Sequence, residues 1–362
     1  MKATNFLQKI YPSAKWSTKK VLQVNPTLNS ARKDAIDINI SVYDYNNSSL
    51  NEQHYKNIEE TFSFLETSNT TWINIDGISR NDVDNICAHF NIHPLIAEDV
   101  LSVGQRPKFD ELGGILFCLL NMLYFNNDGH FVETEQISIV LGKNFVISFQ
   151  EDTTRDVFNP LRDKLKIAGS KVRQAGADFL FYSLIDLIVD NFFTVMEKLG
   201  DEIEIIEENI IRDANTKSLA QINLVRKEMI ILKRNVTPVR ELVNGILRSE
   251  SPLIDEKTEK YFKDIYDHVV QANDLSENYR DMTINLQDLY LNNLNLKMNN
   301  VMKVMAIVTC LLAPATVIGG IFGMNFSSIP WIHNQFGFYI AVGFMLLIPV
   351  WMLYIFRKKG WF

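Results

Sequence analysis

The chain has 362 residues, 22 % of them charged and 47 % hydrophobic, with a formal net charge of −7. The acidic balance excludes nucleic acid as a partner for the bulk of the chain. Three widely spaced cysteines, Cys87, Cys118 and Cys310, form no CxxC or CxH pattern; this excludes a disulfide framework and a structural zinc site and fits a reducing compartment.

In chain order, the first sixteen residues contain no apolar core long enough for a signal peptide. Residues 1–170 predict an α/β domain. "TTWINIDG" (70–77), "GILFCLLNMLYF" (114–125) and "QISIVLGKNFVISFQ" (136–150) predict strands, with "GKN" as a hairpin turn. "SRNDVDNICAHFNI" predicts a helix opened by Ser79. Residues 171–250 change character: helical apolar spacing from Ala177 to Ile211, then from about Leu219 to Leu247, predicts two antiparallel helices. Ser251 and Pro252 predict the start of a third, with Ser as cap and Pro in the first turn. It meets no further Pro or Gly until Pro314, so residues 251–303 read as a stalk. A helix from there to Gly323 would be roughly 105 Å long, and such a helix needs copies of itself or the body to pack against.

Residues 304–322 contain 19 residues without a charge, and 336–356 contain 21. Each run is long enough to cross a hydrocarbon core as a helix. Lys303 precedes the first; Arg357, Lys358 and Lys359 follow the second, and the intervening 323–335 has no Lys or Arg. The positive-inside rule then places both termini and the basic tail 357–362 in the cytoplasm. Trp331 and Trp361 fit interfacial aromatics.

Two spans cannot enclose a pore alone, but a ring of identical chains can. Asn299, Met302, Thr309, Ala313, Thr316 and Gly320 recur at spacings of three, seven, four, three and four, which puts small or mildly polar residues on one helical face. That face serves a pore or close helix packing equally. At its end stands Gly323-Met324-Asn325. A ring of Asn325 oxygens with carbonyls freed at Gly323 suits the hydration shell of Mg²⁺; a Gly helix cap is the alternative.

"WINIDG", "IHPLIAEDVL", "QRPKF", "YSLIDLIVDNFF", "YFKDIYDH", "NNVMKVMAIVT", "IFGMNF" and the terminal "RKKGWF" together resemble the CorA family of divalent-cation channels, over nearly the whole chain from about residue 70. The resemblance implies a funnel-shaped homopentamer in the cell inner membrane. Its stalk helix would continue into a pore-lining first span, ringed by the second. It implies pore positions at Asp288, Asn299, Met302, Met305, Thr309, Ala313, Thr316 and Asn325, with Met302 and Met305 as a hydrophobic gate. It further implies regulatory Mg²⁺ between neighbouring subunits at Glu98, Asp99 and Asp264, with Asp186 as a further candidate. The outer loop lacks the acidic residue that several family members carry just after GMN, which implies weaker cation attraction at the mouth.

The expected function is Mg²⁺ transport, extending to Co²⁺ or Ni²⁺. The alternatives are a Zn²⁺ importer on the same scaffold, with His333 as a possible ligand, and a non-conducting, membrane-anchored oligomeric sensor. The expected partners are further copies of the chain, membrane lipid and divalent cations. No nucleophile arrangement, phosphate loop or His cluster accompanies the carboxylates, so no enzyme is expected.

Overall fold

The computed structural model describes residues 34, 35, 37–153, 155, 157–324 and 334–361. They divide into two compact units: one takes in residues up to 209 together with 216–287, the other 210–215 with 288–362.

The first unit is an α/β domain followed by long helices. Its seven strands are β1 (Asn39–Tyr45), β2 (Leu50–Tyr55), β3 (Thr70–Asp76), β4 (Lys108–Leu112), β5 (Ile115–Asn126), β6 (Phe131–Leu141) and β7 (Phe145–Gln150). They form one sheet in the order β2-β1-β3-β7-β6-β5-β4. Only β3 and β7 pair in parallel, with Ile73 opposite Ile147; the other neighbours are antiparallel. The expected β6–β7 hairpin is present, closed by Gly142 N–H donating to Phe145 O at 2.9 Å.

Strand β7 is buried along its whole length and β5 along most of it, which explains their continuous apolar runs: both faces of the sheet are covered. On one face lie α1 (Arg80–His89), α2 (Pro94–Leu101) and a 3₁₀ helix at Ile58–Glu66. There Val83, Ile86, Phe90, Ile96 and Val100 join Ile73, Phe117, Leu119, Ile147 and Phe149 in one core. Trp72 is fully buried, and its Nε1 donates to Ser148 Oγ at 2.9 Å, so its one polar atom is satisfied. Gly77 ends β3 at φ 91°, and a Cβ there would lie 2.6 Å from Asp37 O, so the turn requires glycine.

One helix start is as expected and one is corrected. Ser79 has the extended N-cap conformation, but its hydroxyl makes no capping bond; Asp34 Oδ1 accepts from Arg80 N–H at 3.0 Å instead. The third long helix does not begin at Ser251-Pro252. Those residues lie in a turn, and the helix starts at Glu256, where Asp255 Oδ1 accepts from Lys257 N–H at 2.9 Å. Asp255 stands directly before the first turn, where its carboxylate reaches an orphan N–H group, whereas Ser251 is buried with no hydrogen-bond partner for its Oγ among the described residues.

Two short helices, α3 (Asn159–Lys166) and α4 (Lys171–Gln174), lead to α5 (Ala177–Asp213) and α6 (Thr216–Arg248), the two long helices expected. The helix α7 (Glu256–Phe322) then runs unbroken through Pro314. After it comes α8 (Gly337–Lys358). In the second unit, Asn293 Nδ2 donates to Ile210 O at 3.2 Å and Lys297 Nζ to Ala214 O at 2.8 Å, which ties α7 to the end of α5. Gly319 faces α8, where a Cβ would stand in ordinary contact 3.7 Å from Met345 Cε.

Three of the described helices are long and apolar enough to cross a membrane, one more than expected. Burial separates them. The most apolar stretch of α5 is 67 % buried within the fold, against 6 % for α7 and 0 % for α8.

Candidate functional site: a carboxylate cluster and an apolar helix face

Aromatic packing sets α5 and α7 side by side in the first unit. Phe179 meets Tyr261 at 5.3 Å between ring centroids, and Tyr182 meets Tyr261 at 5.2 Å and Phe262 at 5.8 Å. Just beyond, each helix presents two polar residues four apart, hence on one face: Asp186 and Asp190 on α5, Asp264 and His268 on α7. Ligand atoms of Asp186, Asp190 and His268 all lie within 4.8 Å of one another. His268 Nδ1 is 3.9 Å from Asp190 Oδ1, too far for a hydrogen bond, and this buried nitrogen has no partner.

The Asp186 carboxyl is pushed above its ordinary range, first by burial and then by the charge of Asp190. The Tyr182 hydroxyl and His268 pull it back, and Asp264 adds further repulsion. Repulsion on a half-buried carboxylate such as Asp186 is what a divalent cation would relieve. The donor set fits one: two carboxylate oxygens suit Mg²⁺, and an imidazole nitrogen raises the affinity for Co²⁺, Ni²⁺ or Zn²⁺.

Of the residues that the sequence singles out, Asp186 is in this cluster; Asp264 is exposed on α7, near enough to repel Asp186 but not among the clustered ligand atoms. The sequence reading missed Asp190 and His268. Their signal was the i+4 spacing inside "LIDLIVD" and "KDIYDH", which acquires meaning only once the two helices are known to pack. Glu98 and Asp99 stand on α2, Glu98 exposed and Asp99 partly shielded. The partners of Asp99 are Lys108 and Gln105, not members of the cluster.

The pore candidates Asp288, Asn299, Met302, Met305, Thr309, Ala313, Thr316 and Gly320 all lie on α7 and are exposed, Met302 at 54 % and Met305 at 66 %. Exposure alone does not single them out on a helix so little buried. Thr309 and Thr316 turn their hydroxyls back onto the carbonyls of Met305 and Leu312, at 2.9 and 3.1 Å. The helix ends with Gly323 N–H donating to Gly319 O at 2.9 Å, and Gly323 and Met324 follow it, exposed. Asn325, Trp331 and His333 lie outside the described residues. Arg357, Lys358 and Lys359 are exposed at the end of α8, and Lys303 is partly so on α7. Trp361 stacks on Phe356 at 5.1 Å.

A sheet domain that hands over to long helices, a carboxylate cluster between two of them, and two apolar helices left uncovered define the class: a membrane-associated protein that handles divalent cations. Residues 67–358 match the family described as CorA-like Mg²⁺ transporter protein. The chain is 37 % identical over 326 residues to the cobalt/magnesium transport protein CorA of Thermotoga maritima, covering 90 % of this chain and 93 % of the relative. It is 30 % identical to the putative metal ion transporter YfjQ of Bacillus subtilis, covering 80 % of this chain and 89 % of the relative. The solved structure of the complete CorA magnesium transporter of Methanocaldococcus jannaschii superimposes with a TM-score of 0.72 at 22 % identity, over 91 % of this chain and all of that one. The chain therefore belongs to the CorA-like Mg²⁺ transporter family.

Proposed function

We propose that this chain is a Mg²⁺ channel of the cell inner membrane, conducting as a homopentamer and also admitting Co²⁺ or Ni²⁺. The observation that carries the reading is the family membership over residues 67–358, in a chain where the most apolar stretches of α7 and α8 are almost wholly uncovered. Those helices are the two spans; α5 is not a third, since most of its apolar stretch is already packed. One span lines the pore through Asn299, Met302, Met305, Thr309, Ala313, Thr316 and Gly320. Gly323-Met324-Asn325 forms the outer filter, and Lys303 with Arg357, Lys358 and Lys359 forms a basic ring at the cytoplasmic surface, where both termini lie. The domain boundaries expected from the sequence are kept: 1–170, 171–250, 251–303, 304–322, 323–335, 336–356 and 357–362.

Gating follows from the carboxylates. Asp186 and Asp264 on one chain, and Glu98 and Asp99 on its neighbour, repel across the subunit boundary when bare. A bound Mg²⁺ would supply the positive charge that lets these groups approach. Asp190 and His268 belong to the same donor set. Carboxylates held together keep the ring symmetric and Met302 and Met305 closed and dry; carboxylates pushed apart let subunits shift and the gate wet.

Two measurements test the reading. Expression should restore growth of a Mg²⁺-uptake-deficient bacterium at low Mg²⁺, and the detergent-purified protein should have the mass of a pentamer. A stable monomer or dimer, or a folded pentamer that restores nothing, refutes it.

A further inference from the structure

Asp99 already has donors. It sits in the last turn of α2, where unpaired carbonyls make the helix end electronegative and a carboxylate is unfavourable. Compensation comes from the following segment. Lys108 Nζ, at the start of β4, lies 2.5 Å from Asp99 Oδ2 and 3.4 Å from Asp110 Oδ2. Gln105 Nε2 donates to Asp99 Oδ1 at 3.1 Å. Both oxygens of Asp99 are therefore engaged within the chain, one of them by a full positive charge. The pair is shielded, with the Asp99 side chain only 17 % exposed and that of Lys108 33 %. Helix α2 is anchored independently of Lys108, because Gln136 Nε2 donates to the carbonyls of Asp99 and Val100 at 3.3 and 3.4 Å.

We propose that Lys108 is a resident competitor at Asp99: its ammonium holds an oxygen that a regulatory divalent cation would use, and so sets the cation concentration at which the ring closes. The inference rests on the reading of Asp99 as part of an intersubunit cation site. A divalent ion reaching Asp99 either displaces the ammonium or binds Oδ1 with that charge close by. A unit charge about 5 Å from a doubly charged ion weakens its binding roughly tenfold even at the dielectric of water. Asp110 makes displacement reversible, since its Oδ2 already lies 3.4 Å from the ammonium and offers it a second carboxylate. Lys108 thus raises the threshold without abolishing the response.

The test uses the full chain in detergent, titrated with Mg²⁺ alone, with the rate of limited proteolysis of the cytoplasmic region as readout. Lys108→Met keeps the length of the side chain and removes its charge, and its midpoint for protection should fall roughly tenfold. Lys108→Arg keeps the charge and should stay near wild type. Lys143→Met, on the β6–β7 turn, changes net charge equally and should not move the midpoint. If Lys108→Met folds poorly, as judged by thermal unfolding, Lys108→Gln carries the same expectation. A wild type whose protection depends on Mg²⁺, with an unmoved or raised midpoint in the uncharged variants, overturns this inference alone. A wild type with no Mg²⁺-dependent protection overturns the underlying reading and this inference with it.

Discussion

Glu228 offers a test of the packing between α6 and the sheet that is independent of transport. Its side chain is buried, the residue being 2 % exposed, and Oε2 accepts from Val132 N–H at 2.7 Å. Burial pushes its carboxyl up to about 7, against the pull of the Val132 bond and the nearby Lys227 charge. The unfolded chain ionises it near the ordinary value of 4.5. The folded state thus holds a proton that the unfolded state has lost. The stability this lends is fully present below pH 4.5 and disappears as pH rises through about 7. A shift of about 2.5 pH units corresponds to about 3 kcal/mol at alkaline pH. Glu228→Gln keeps an oxygen for Val132 and cannot ionise. It should match wild type near pH 5 and exceed it by up to about 3 kcal/mol near pH 9. The measurement is thermal unfolding at both pH values, comparing variant with wild type so that other titrating groups cancel. An equal gain at both pH values, or none at pH 9, would refute the buried-acid argument.

Glu135→Ala removes the acceptor of the Glu151 and Asp152 N–H groups and of the Tyr124 hydroxyl. It should cost about 1–3 kcal/mol in chemical denaturation, since three donors lose a shared carboxylate acceptor. Asn325→Ala should abolish Mg²⁺ uptake by cells while the purified protein remains pentameric; normal uptake would reduce Gly323-Met324-Asn325 to a helix cap. Asp264→Lys places a fixed cation among carboxylates that include Asp186, whose ionisation Asp264 now disfavours. The cytoplasmic region of that variant should resist protease without Mg²⁺, and a full wild-type response to Mg²⁺ would move the sensor elsewhere.

Much of this fold is legible where one physical signal dominates. The runs at 114–125 and 136–150 stand out because both faces of their strands are buried. Helices α5 and α6 stand out because long amphipathic periods repeat. Strands β1 and β2 both escaped the sequence reading, β2 for the opposite reason. β2 reads "LNEQHY" and none of its residues is buried; it is a strand because it pairs with β1, Val42 opposite Gln53, and that partnership leaves no local mark. The start of the third long helix failed at the same level: Ser251 and Asp255 both carry capping side chains, and only the turn at 251–255, with Ser251 buried in it, decides between them. At the cluster, Asp190 and His268 are 78 positions apart in sequence, so their meeting belongs to the packing of α5 on α7 rather than to any motif.

The three apolar helices show what composition leaves undecided. In α5 the residues Phe181, Leu184, Ile185, Ile188, Val189 and Phe192 are each 0 % exposed. They recur at three- and four-residue steps, so one stripe faces the interior and the charged groups stand off it. In α8 the large side chains Phe338, Tyr339, Phe344, Leu346, Leu347, Val350, Trp351 and Tyr354 are 55 to 72 % exposed, and Val342, Met345, Ile348 and Met352 make the rest of the helix surface apolar as well. Burying a large apolar side chain is worth about 1.5–3 kcal/mol. Leaving eight of them in water therefore forgoes on the order of 10 kcal/mol, comparable with the whole stability of a domain. No face of α8 could be turned inward to recover it, since the apolar residues do not form a stripe. Met302, Met305, Val308, Leu312, Val317 and Ile321 on α7 pose the same problem, each 48 to 66 % exposed. The apolar stretches of both helices are long and apolar enough to cross a membrane, and that is the surrounding in which such side chains need no burial inside the fold.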